Sequence, residues 1–142
     1  MKLTELFDRP VPFQIETSSD HHYEASFMIG EYRYIYDAHI GEEGKRIDPD
    51  DILDANIEFA KYEPGIGRVY SLTNDHNSAV ILATVVNITR DLLSKYPISD
   101  LVFTAKEPKR KALYLRMVKK LIPTWTVTEH GSEIIIVSKP YA

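Results

Sequence analysis

Residues 77–123 read NSAVILATVVNITRDLLSKYPISDLVFTAKEPKRKALYLRMVKKLIP, and this stretch decides the fold. From Asn77 to Tyr96 there is no Gly or Pro, and Ile81, Val85, Ile88 and Leu92 recur at the spacing of one helical face. Val80, Leu82, Val86 and Leu93 widen the apolar arc, which predicts a deeply buried helix. Its β-branched residues lower the intrinsic helix propensity, but length without a breaker decides for helix. Asn74 and Asp75 are the expected N-caps and Pro97 closes the segment. Leu101–Ala105 predicts a short strand buried on both faces, as at the centre of a sheet. Glu107-Pro108 opens a second helix, because proline fits a first turn, and Pro123 stops it after Ile122. On a wheel of about 100° per residue, Tyr114, Val118, Leu121 and Ile122 face inward while Lys109, Arg116, Lys119 and Lys120 face solvent.

Upstream of this stretch the period changes from helical to two. Phe13–Thr17, Tyr23–Ile29 and Tyr32–Ile40 alternate apolar and polar residues, with turns at Ser18-Ser19-Asp20 and Gly30-Glu31, which predicts an antiparallel meander after a short opening turn at Lys2–Phe7. Asp54–Tyr62 reads as a fourth strand, with a helix from Pro49 as the alternative. Glu63-Pro64-Gly65-Ile66-Gly67 turns the chain into a fifth strand, Arg68–Thr73. Downstream, Trp125–His130 and Glu133–Ser138 flank Gly131-Ser132 as a hairpin. The expected fold is α+β, a mostly antiparallel sheet with two long helices in the order β-β-β-β-β-α-β-α-β-β. It forms a single domain over residues 1–142, a strand meander over 1–73 and a helix-strand-helix-hairpin half over 74–142.

With 44% apolar and 27% charged residues, the 142-residue chain has the balance of a soluble globular protein, which excludes a fibre or a disordered tail. The absence of cysteine excludes disulfides, thiolate zinc sites and a cysteine nucleophile. No apolar run approaches a membrane span, and the N-terminus lacks the apolar core of a secretory signal, so a cytoplasmic protein is expected. The net charge of −4 is uneven: residues 1–75 carry seven Lys/Arg against sixteen Asp/Glu, residues 76–142 ten against five. Such polarity either steers a partner or pairs two faces of one fold.

Arg110, one turn before Tyr114, falls on the sheet side of its helix. There it either bridges to a strand-end carboxylate or clamps an anionic ligand or partner, for which a planar guanidinium fork is suited. Tyr114 is a core residue unless its hydroxyl faces a cleft, where it can donate a proton. Tyr32, Tyr34 and Tyr36 form a stripe that fits either a core or, if exposed, a binding surface. Asp48-x-Asp50-Asp51-x-x-Asp54 lacks the glycine and distal glutamate of a calcium loop and reads as an acidic loop. His21, His22, His39, His76 and His130 show no metal-ligand spacing, so no metal site is expected. Lys106, Lys109, Arg116, Lys119 and Lys120 form a basic face without interleaved aromatics, which argues against a nucleic-acid partner.

The run Glu107-x-x-Arg110-x-x-Leu113-Tyr114-x-Arg116, set between a strand and a terminal hairpin, resembles the C-terminal half of the GNAT acetyltransferase fold over about residues 67–138. The chain also looks similar to small proteins of tailed bacteriophages, which implies a host-cytoplasm location. The GNAT resemblance implies acetyl-CoA as cofactor, Tyr114 as general acid and a cofactor cradle at Thr73, Asn74, Asn77 and Ser78. GNAT enzymes hold pyrophosphate with a glycine- and arginine-bearing loop at this helix start. Here Thr73-Asn74-Asp75-His76-Asn77-Ser78-Ala79 has neither residue and adds Asp75, which repels phosphate. The expectation is therefore a non-catalytic protein-interaction module on a GNAT-like scaffold, without cofactor, acting on a protein partner of host or virion. An acetyl-CoA-dependent N-acetyltransferase is the alternative.

Overall fold

The structure, a computed structural model, describes residues 9–41, 53–69, 78–105, 108–131 and 133–140. In chain order the elements are β1 (Phe13–Ser18), β2 (His22–Ile29), β3 (Tyr32–Ile40), β4 (Asp54–Glu63), β5 (Gly67–Val69), α1 (Ser78–Lys95), β6 (Asp100–Thr104), α2 (Pro108–Leu121), β7 (Thr126–His130) and β8 (Ile134–Ser138). This is the order expected from periodicity. Both helices end within a residue or so of the predicted limits, because Pro97, Pro108 and Pro123 set hard boundaries.

The strands form one sheet in the order β1-β2-β3-β4-β6-β8-β7, with β5 paired to the far end of β4. All pairings are antiparallel except β4 with β6, whose chain connection runs through β5 and α1. The meander β1–β4 thus joins the C-terminal half through a single parallel ladder, Asp54–Ile57 beside Asp100–Phe103.

Alternation decides which side of each strand is core. Tyr23, Ala25 and Phe27 on β2, Tyr34, Tyr36, Ala38 and Ile40 on β3, and Ala55, Ile57 and Phe59 on β4 are buried on one face. Leu101 and Phe103 on β6 and Ile135 and Val137 on β8 continue it. Both helices pack there: Tyr36 donates its hydroxyl to Thr89 of α1 at 2.9 Å, and Phe103 stacks on Tyr114 of α2 at 4.6 Å between ring centres. Thr89 Oγ1 spends its own proton on the Val85 carbonyl, which fixes Tyr36 as the donor. Burial raises the Tyr36 phenol well above its usual pKa. Residues 81–86 of α1 are all buried, as the wide apolar arc predicts.

Some expectations require correction or fall outside the described residues. The strand at Leu101–Ala105 is central, but only Leu101 and Phe103 of β6 are fully buried, while Val102 and Thr104 on the opposite face are half-buried. Among the described elements, both helices lie on the same side of the sheet, so its other face has no helical cover and two-sided burial does not follow. The opening turn, the Asn74/Asp75 caps, the acidic stretch Asp48–Asp51 and the end of the strand expected to run to Thr73 lie outside the described residues.

Candidate functional site

On the helix side, the chemistry expected of α2 is enclosed. Tyr114 is 0% exposed, and its hydroxyl accepts the Phe59 amide hydrogen at 3.1 Å. The position is set by topology: β4 pairs with β6 only as far as Ile57, then continues toward β5, so the Phe59 N–H has left the parallel ladder. A buried amide needs a partner, and Tyr114 supplies it where the two strands part. Arg110 is 1% exposed, on the inner side as its wheel position requires, and is not without a partner.

The other side of the sheet carries a polar constellation written by register. Across β2, β3 and β4, His22, His39 and Asn56 form one row, and Glu24, Asp37 and Glu58 the next. His22 Nε2 lies 2.5 Å from Asp37 Oδ1, and His39 Nε2 lies 3.7 Å from Asp37 Oδ2. The two imidazoles stack with 4.8 Å between centres and 4° between planes. Asp37 is nearly buried, its side chain 8% exposed, whereas those of His22 and His39 are 34% and 62% exposed. On the other side of the histidine row, Asp54 pairs with Asp100 across the parallel ladder. Partial desolvation, followed by the charge of Asp100 and a hydrogen bond to it, raises the pKa of the largely exposed Asp54 above the usual carboxylate value.

At the far end of the same face, Met28, Arg33 and Tyr62 occupy one row. Met28 and Tyr62 on this face, Tyr32 on the opposite face of the same strand end, and Ile66 in the turn after β4 are all exposed, with Ile66 at 73% the most open. Lys61 Nζ sits 3.8 Å above the Tyr32 ring. Pro12, Phe13, Met28 and Arg33 help line an adjoining groove of about 550 Å³.

The expected tyrosine stripe therefore divides. Tyr32 is 45% exposed at the strand end, but Tyr34 and Tyr36 are 0% exposed and correct the expectation that they belong to a binding surface. They alternate onto the helix-covered face, where Tyr34 stacks on Phe27 and Phe59. Thr73, Asn74 and Asn77 lie outside the described residues, and Ser78 is the first residue of α1. Spacing along the chain missed the His22/Asp37/His39 group. The signal was the hairpin: Gly30-Glu31 as a two-residue turn makes paired positions sum to 61, which sets 22 against 39 and 24 against 37.

An α+β domain with helices on one side of its sheet and a histidine–carboxylate group on the other is the class that this fold and site define. The chain belongs to the DUF6934 family, a family of unknown function, whose pattern matches residues 45–130. That match runs from before β4 through β7 and does not include the histidines of β2 and β3. No curated protein matches the chain. Among solved structures, a chain of "The crystal structure of KacTA-DNA complex" is similar at 13% identity, with a TM-score of 0.42, over 84% of this chain and 69% of that one.

Proposed function

We propose that the protein is a non-catalytic protein-binding module on a GNAT-like scaffold. The observation that carries this reading is the placement of Tyr114. The only side chain that the GNAT resemblance offers as general acid is fully buried, and its hydroxyl is engaged with the Phe59 amide. A proton donor must reach its acceptor directly or through one water, and this hydroxyl instead closes the gap where β4 and β6 part. The scaffold half of the reading is supported by the parallel β4–β6 ladder, the α1 crossover, and α2 leading into a terminal hairpin.

The binding surface in this reading is the end of the sheet that carries Met28, Arg33 and Tyr62 on one face and Tyr32 with Lys61 on the other, with Ile66 in the turn after β4. Tyr, Met and Arg are the residues enriched in protein interfaces, and exposed apolar side chains grouped at one place mark such surfaces more than scattered ones do. The partner is a protein presenting apolar side chains to this end and to the adjoining groove.

Thermal melting with and without acetyl-CoA tests the reading. A ligand at about a hundred times its dissociation constant adds about 2.7 kcal/mol to stability, so a cofactor would raise Tm by several degrees. No shift is expected. A shift of that size, accompanied by acetyl transfer to an amine, would overturn the reading in favour of the N-acetyltransferase.

A further inference from the structure

We propose that His22, Asp37 and His39 form a binding site for one borderline transition-metal dication, zinc being the first choice. The site lies on the face of β2 and β3 opposite the two helices and is independent of the partner-binding reading above.

Geometry makes the case. Each oxygen of one nearly buried carboxylate faces a different imidazole nitrogen, and the three ligand atoms all lie within 4.8 Å of one another. Zinc bonds nitrogen and carboxylate oxygen at about 2.0–2.2 Å, so ligands of one ion stand about 3.0–3.5 Å apart. The His39 contact of 3.7 Å is already close to that spacing, and the His22 contact of 2.5 Å needs only to open by side-chain rotation. An ordinary structural ion pair would be complete with His22 and Asp37. The second imidazole, with its Nε2 3.7 Å from the other oxygen, is what that simpler arrangement does not require. The two rings stand parallel, so binding one ion turns them about their side-chain bonds until their in-plane lone pairs converge.

The donor set also selects the ion. Two imidazoles and one carboxylate suit zinc, nickel, cobalt or copper, whereas calcium and magnesium take oxygen ligands and magnesium retains its waters. Three protein ligands leave at least one coordination position for water or a further ligand, and the 62% exposure of the His39 side chain keeps that side open. Glu24 and Glu58 flank Asp37 in its row, but the ligand atoms that gather within 4.8 Å are those of His22, Asp37 and His39, so the ligand set is the trio. All three ligands stand on paired strands rather than loops, which fixes their spacing.

The test is isothermal titration of the tag-free, chelator-treated chain with zinc chloride, and separately with calcium and magnesium chloride. One zinc per chain is expected, with no calcium or magnesium binding at the same concentrations. His39→Ala removes an exposed side chain and should leave the fold intact while weakening zinc about tenfold or more, the loss that even an outer-shell change produces. Asp37→Asn keeps the shape of the side chain and should weaken zinc similarly. His130→Ala, an exposed histidine on β7, should bind as the parent does. In NMR spectra of the parent, zinc should shift the ring signals of His22 and His39 and spare those of His130. No zinc binding at millimolar concentration, equal loss with His130→Ala, or unchanged affinity in His39→Ala would overturn the proposal.

Discussion

Replacing Tyr114 by Phe removes one oxygen and leaves the ring stacked on Phe103, so it isolates the part played by the hydroxyl. In the parent that oxygen accepts the Phe59 amide hydrogen at 3.1 Å in a fully buried setting. Its removal leaves a buried N–H unsatisfied, a loss of about 1–3 kcal/mol. At about 2.1 cal/mol/K per residue, a chain of 142 residues has an unfolding entropy of about 0.3 kcal/mol/K. Tm should therefore fall by about 3–10 °C. Calorimetry reads the melting shift, and amide hydrogen exchange reads the same event locally, as faster exchange at Phe59. If Tyr114 were poised in a cleft as a proton donor, the Phe variant would melt like the parent and exchange at Phe59 would not change. A Tm within 1 °C of the parent with unaltered Phe59 exchange would refute the claim that this hydroxyl closes the gap between β4 and β6.

Phe103→Ala removes a 0% exposed ring from the same junction and should destabilise the fold by about 3–5 kcal/mol through lost burial and a residual cavity, read by denaturant titration. A loss below 1 kcal/mol would show that the junction is not core. Asp54→Asn should raise Tm at neutral pH and leave it unchanged at pH 3. The folded-state pKa of Asp54 lies above its unfolded value, so its contribution to stability is present in acid and lost as pH rises through the folded pKa. The amide copies the protonated form at every pH, so a gain that failed to shrink in acid would contradict the Asp54–Asp100 repulsion; the exposure of Asp54 keeps the gain small.

Periodicity made the fold legible because each element buries one face and is bounded by a breaker. Ile81, Val85, Ile88 and Leu92 mark the buried face of α1, and Pro97, Pro108 and Pro123 mark where helices stop or start. The inward position of Arg110 was likewise readable from the wheel, and its 1% exposure agrees. Two-sided burial of β6 was not readable, since an apolar run shows that a strand is central without showing how many layers cover it. The tyrosine stripe misled for a related reason. Alternation groups Tyr32, Tyr34 and Tyr36 on one side, but only the strand end, at Tyr32, extends beyond the helices. The histidine–carboxylate group escaped because its members pair across a hairpin, and linear spacing carries no information about register.

That register is held by the opposite face of the same two strands. Tyr23 pairs with Ala38, Ala25 with Tyr36, and Phe27 with Tyr34, so two of the three inner pairs set a large side chain against a small one. Tyr23 and Tyr36 are tied in turn to Asp91 and Thr89 of α1. A slip of one residue would carry every one of these groups to the solvent side. A slip of two in one direction would set Tyr23 against Tyr36 and move Asp37 from Glu24 to stand opposite His22; in the other direction it would set Ala25 against Ala38 and Asp37 opposite Ser26. Gly30, at φ 61°, gives the turn a backbone that non-glycine residues rarely adopt and so holds the loop to two residues. The spacing of His22, Asp37 and His39 is thus a by-product of how the aromatic core packs under α1. Substitutions in that core, such as Tyr36→Ala, should disturb the polar face although they touch none of its side chains.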